Sequence, residues 1–157
     1  MDKEVGAVIL VIVAILAIFV AIQPLIPSTG EKFSELGVLG PNQTIANYPT
    51  NLKVGQQFLL YAYVGNHEGQ IDFYRLMIKL GNQSVQVTNS TSASAPLLLS
   101  YARVLGDNQS WIFPINMSLN ETGTNLKLIF ELWAFNGTTS SFDYTGLWDQ
   151  LYINVTS

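Results

Sequence analysis

The chain has 157 residues, a net charge of −4, 11% charged residues and 48% hydrophobic ones. That length suits one domain with its own core. The absence of cysteine removes thiol catalysis, zinc–thiolate and iron–sulfur ligation. No basic patch is present, which argues against nucleic acid as a partner.

The hydrophobic residues are unevenly placed. Val5 to Ile22 reads VGAVILVIVAILAIFVAI, without a charged or strongly polar side chain, and the run extends to Ile26 across Gln23 and Pro24. At about 1.5 Å per residue, about 20 helical residues cross a hydrocarbon core of about 30 Å. A helix is the segment form that satisfies its own backbone in lipid, and Pro24 and Pro27 punctuate its end. The expectation is a retained single-pass anchor, with residues 1–26 as cytoplasmic stub and transmembrane helix. Two other readings compete. A cleaved signal peptide would want a basic start, a shorter core and a small-x-small site, whereas this chain begins Met-Asp-Lys-Glu. A pilin-like helix, cut near Lys3 and packed in a filament core, is the remaining reading.

Residues 27–32 form a short Pro/Ser/Thr/Gly linker. Beyond it, apolar runs alternate with turn residues, the pattern of an all-β domain over residues 33–157. Strands are expected at Phe33–Leu39, Gln57–Gly65, Ile71–Leu80, Ser84–Thr88, Leu97–Val104, Trp111–Leu119, Leu126–Phe135 and Leu147–Val155. Leu126, Leu128, Phe130, Leu132 and Ala134 make one wholly apolar face. Lys127, Ile129, Glu131, Trp133 and Phe135 make a mixed one, as in a sheet with one buried side. Seven or eight such strands without a helical run fit an immunoglobulin-like β-sandwich that lacks the usual inter-sheet disulfide.

Asparagine supplies the strongest functional signal. Eight of 12 asparagines sit in Asn-x-Ser/Thr sequons: Asn42, Asn82, Asn89, Asn108, Asn116, Asn120, Asn136 and Asn154. Chance would place roughly one in eight there. All eight follow the apolar run, and N-glycans are added outside the cytoplasm. The sandwich is therefore expected outside the cell, with the N-terminus inside and the sequons in turns or on outward strand faces.

Sites of chemistry are sparse. His67 is the only histidine. Beside Glu68 and near Asp72 it reads either as a polar turn residue or as part of a cation site or base. The other acids show no paired spacing or calcium-loop pattern, so no catalytic residue, metal or cofactor is expected. Aromatics crowd the C-terminal half. Most suit core packing, but Trp133, Phe142, Tyr144 and Trp148 are a candidate interaction patch, with Ser140–Trp148 read as a loop.

The strings LGP at 39–41, YPTNLKVGQ at 48–56 and VGNHEG at 64–69 resemble an archaeal membrane-protein family called domain of unknown function 1616. The resemblance implies an archaeal cell surface and an extracytoplasmic β-domain, with no assigned activity. The functional expectation is a non-catalytic accessory or interaction subunit of a membrane or surface complex. Its partners would be the bilayer through residues 5–26, other membrane or surface subunits, and covalent N-glycans. The alternative is a structural subunit of a glycosylated pilus-like filament.

Overall fold

The computed structural model describes residues 30–157. The expected transmembrane helix lies outside them, and no helix among the described residues is long and apolar enough to cross a membrane. Lys32–Ser157 form one compact unit. Its strands are β1 (Phe33–Leu39), β2 (Asn51–Lys53), β3 (Phe58–His67), β4 (Asp72–Gly81), β5 (Leu97–Leu105), β6 (Gln109–Met117), β7 (Gly123–Asn136) and β8 (Ser141–Thr156).

Two sheets face each other, one in the order β1-β3-β6 and the other in the order β2-β8-β7-β4-β5. Every pairing is antiparallel except β2 with β8. Alternation explains the packing, because successive side chains point to opposite faces. From the smaller sheet, Leu60, Ala62, Phe113 and Ile115 turn inward. Leu76, Ile78, Leu128, Phe130 and Ile153 meet them from the larger one. A fully buried Leu or Phe side chain contributes about 1.5–3 kcal/mol, so this layer is the main source of stability.

The strings that carry the family resemblance are structural. Gly40 sits where a Cβ would collide with the Ala46 carbonyl oxygen, and Tyr48 donates a 2.8 Å hydrogen bond to the Val38 carbonyl. Asn66 is fully buried. Its amide donates to the carbonyls of Gln70 and Leu105 at 2.9 Å, and its oxygen accepts from the Glu68 amide at 3.0 Å. One side chain thus satisfies the backbone of the β3–β4 turn and ties it to the end of β5.

Three expectations need correction. Ser84–Thr88 is not a strand; apart from one bridge between Thr88 and Thr91 it is irregular. The strand β2 was not foreseen, because three residues give too short a pattern. Ser140–Trp148 is not a loop: Ser141 already opens β8, which pairs with β7 from the Asn136–Ser141 end. The run SSFDYTGLW mixes polar residues with aromatics because both faces of β8 are used.

Candidate interaction surface

The outer face of the five-stranded sheet falls into a covered half and an open half. The segment from Asn82 to Pro96, joining β4 to β5, folds back over the face as a strap. Val87 and Ala93 from the strap pack on Ile129, with Val85, Tyr144 and Trp148 around them. Ile129 and Glu131 on the mixed face of β7 are therefore buried too, whereas Phe135 on the same face stays exposed, so the expectation of one buried side fails only where the strap lies.

A buried ion pair pins the strap. Lys79 Nζ lies 2.9 Å from Glu131 Oε2, with side-chain exposures of 11% and 0%. The ammonium also donates to the Ala93 carbonyl at 2.8 Å. Glu131 accepts from the Ala93 amide at 2.5 Å and from Trp133 Nε1 at 3.2 Å. Strap backbone thus contacts both charges, and each has hydrogen-bond partners, the condition under which a buried pair persists. Farther along, Lys127 Nζ donates to the Val85 carbonyl at 2.7 Å, Tyr144 to the Thr88 carbonyl at 2.9 Å, and Trp148 Nε1 to Asn89 Oδ1 at 3.3 Å. Gly146 has φ +83°, and a Cβ there would strike the Asn89 carbonyl oxygen. Burial raises the Tyr144 phenol to about 12, with the nearby Glu131 charge adding to the shift.

The expected patch is divided by this strap. Trp133, Tyr144 and Trp148 are half-buried, with Tyr144 and Trp148 packed and bonded against the strap and Trp133 bonded to Glu131. Phe142 stands apart on the open half. Register places Phe73 opposite Val104, and Phe135 opposite Phe142. Tyr74 pairs with Ala134, which sets Phe73 beside Phe135. Val104, Phe73, Phe135 and Phe142 therefore form one row across β5, β4, β7 and β8. Ring centroids are 6.1 Å apart for Phe73–Phe135, 4.9 Å for Phe73–Phe142 and 5.4 Å for Phe135–Phe142. The Arg75 guanidinium lies over Phe142 at 3.8 Å. Phe73, Phe135 and Val104 remain 37%, 41% and 57% exposed. Sequence reasoning missed Phe73, Arg75 and Val104. Their signal was parity: Phe73, Arg75, Met77 and Lys79 share the outward face of one strand.

The sequon asparagines are distributed around this surface. Asn42, Asn82, Asn89, Asn108, Asn116 and Asn120 are exposed, whereas Asn136 and Asn154 are half-buried. Asn136 Nδ2 donates to Asp143 at 2.7 Å and Asn154 Nδ2 to Asn51 at 3.0 Å. A glycosylated Nδ2 retains one N–H, so either bond is compatible with modification. None of the four row positions is a sequon.

His67 does not join Glu68 and Asp72. Its Nδ1 lies 3.1 Å from Asn108 Oδ1 and its Nε2 lies 3.4 Å from Glu35. The Asn108 acceptor, with Glu35 next, favours the imidazolium and moves its pKa above the ordinary value. Glu68 instead accepts from Ser34 at 2.7 Å. Glu68, Asp72 and Asp143 line a cleft of about 620 Å³ with Phe33, Asn136 and Tyr144. Among the described residues no three His, Asp or Glu side chains converge as a metal site.

Two facing sheets, antiparallel but for one short parallel edge, define an immunoglobulin-like β-sandwich. The CARDB domain of the PF1109 protein from Pyrococcus furiosus, solved in complex with di-metal ions, has this fold. Its TM-score is 0.50 at 10% identity, covering 80% of this chain and 89% of that one. A β-glucosidase from Listeria innocua in complex with glucose is similar at a TM-score of 0.47 and 14% identity, over 80% of this chain and 16% of that one. The sporulation control protein Spo0M from Bacillus subtilis is similar at 0.43 and 11% identity, over 79% and 49%. No curated protein matches the chain. The profile described as Domain of unknown function (DUF1616) matches residues 27–155, and the chain belongs to that family.

Proposed function

We propose that this chain is a membrane-anchored, N-glycosylated interaction subunit. Its sandwich lies outside the cell and docks a membrane or surface protein through the open half of the larger sheet. The row Val104–Phe73–Phe135–Phe142 carries the reading. Large aromatic side chains left in water at a register-aligned row are costly unless something covers them. The strap covers the neighbouring half of the same face, and none of the row positions accepts a sugar. Arg75 on Phe142 adds a donor of the kind enriched at interface centres. The apolar run at residues 5–22 and the eight sequons support the topology. The docking face does its work through shape and burial, without a reacting group.

Two measurements test the two parts. Intact mass of the protein from its native membrane should exceed the 17.3 kDa polypeptide by several glycans, and should fall after deglycosylation. A bare polypeptide mass refutes the extracytoplasmic reading. Separately, Phe73→Lys with Phe135→Lys should release the protein from its native membrane complex on a non-denaturing gel while the circular dichroism spectrum stays unchanged. A folded double variant still in the complex refutes the docking face.

A further inference from the structure

The edges of the two sheets are not equally protected. β2 has only three residues. β6 carries Pro114, which has no N–H to offer, and the sequon Asn116. β1 is weakened by Gly37 and carries Glu35, which bonds Tyr63 at 2.6 Å across the outer face. β5 is different. It ends the five-stranded sheet, runs nine residues as LLLSYARVL without proline or sequon, and has one charge, Arg103. A bulge at Leu97–Leu98 leaves Leu99–Leu105 as a regular ladder against β4. Seven residues of unpaired backbone edge are a template for another strand.

The side chains of that edge indicate which strand. On the outer face β5 presents Leu98, Ser100, Ala102 and Val104. In size this is large, small, small, large, and it is symmetric about Tyr101. Leu98 and Val104 are 38% and 57% exposed, and Ser100 and Ala102 are exposed between them. We propose that β5 pairs antiparallel with β5 of a second copy of this chain, about a twofold axis at Tyr101. Leu98 then meets Val104 of the other copy, and Ser100 meets Ala102. No like charges oppose each other, because Arg103 falls opposite Leu99. The two five-stranded sheets join into one, and the backbone groups of both edges are satisfied together.

The contact is small. About the Tyr101 axis the regular residues of both copies overlap over Leu99–Arg103, a ladder about 17 Å long flanked by the Leu98–Val104 contacts; with the thickness of the sandwich it covers on the order of 350 Å² per copy, less than the about 800 Å² of a standard stable interface. Pairing is therefore weak between free copies and strengthened where copies are concentrated on one surface.

The chain has no cysteine, so engineered thiols report cleanly. Full-length Ser100→Cys and Ala102→Cys proteins, each alone and mixed in detergent micelles, are exposed to a mild oxidant. The mixed disulfide should form at least about fivefold faster than either homodisulfide, because only positions 100 and 102 face each other directly. Leu98→Lys in both proteins should slow it by a similar factor. Equal rates for all three pairs, no cross-link at all, or a rate indifferent to Leu98→Lys each overturn the proposal. Leu98 is outside the aromatic row and no glycan is needed, so failure here leaves the partner-docking face standing.

Discussion

Replacing Glu131 by Gln tests whether the strap is held by charge. The side chain keeps its shape and its one oxygen still accepts from the Ala93 amide, but the new NH2 group faces the Trp133 Nε1–H and the Lys79 ammonium, which are donors too. Lys79, whose side chain is 11% exposed, loses its counter-charge and keeps only the Ala93 carbonyl as acceptor. Removing one member of a buried pair costs about 3–5 kcal/mol, because the remaining charge is left uncompensated. With an unfolding entropy of about 0.26 kcal/mol/K for a unit of this size, the midpoint should fall by about 10–20 °C. The double variant Lys79→Met/Glu131→Gln should recover most of that loss, since the uncompensated charge is gone and methionine is an unbranched side chain of similar length. Differential scanning calorimetry on the two single variants and the double measures the cycle. A loss below about 1 kcal/mol for Glu131→Gln, or a double variant no better than the single, would show that water reaches the pair and that the packing of Val87 and Ala93 with the Lys127, Tyr144 and Trp148 hydrogen bonds holds the strap without it.

Gly146→Ala should destabilise the domain by more than about 1 kcal/mol in urea, because the position has φ +83° and its Cβ meets the Asn89 carbonyl oxygen. His67 should titrate above the free-histidine range by NMR, and Asn108→Ala should bring it down, since Asn108 is the first cause of the shift. The sign follows from linkage: a raised histidine pKa stabilises the fold most at pH below about 6.5, and that contribution disappears as pH rises through the folded value. Tyr144 and Tyr74, both at about 12, should be the last tyrosines to ionise in an ultraviolet titration. The unfolded chain releases those protons near pH 10, so stability should fall between about pH 10 and 12.

Much of the sandwich was written in local pattern. The strand Phe33–Leu39 has the expected bounds, and the apolar parity of β7 names its inward face, because alternation depends only on chain geometry. The buried end of Leu60–Val64 follows for the same reason. The sequons were equally legible, being a three-residue chemical pattern. Asn66 lies in the VGNHEG string, and its complete burial is not legible there, since its partners are the Gln70 carbonyl of the β3–β4 turn and the Leu105 carbonyl at the end of β5.

The sequence by itself determined that this chain has an apolar run of membrane-spanning length, eight acceptor asparagines beyond it, and an all-β domain of one family. Those are properties of neighbouring residues. Only the tertiary structure decided which aromatics are covered and which are open. Trp148 lies under a strap more than fifty residues earlier in the chain, and Phe142 stands beside Phe73 because β4, β7 and β8 share one register. Pairing across strands is set by the turns and the core together, so no window of sequence contains it.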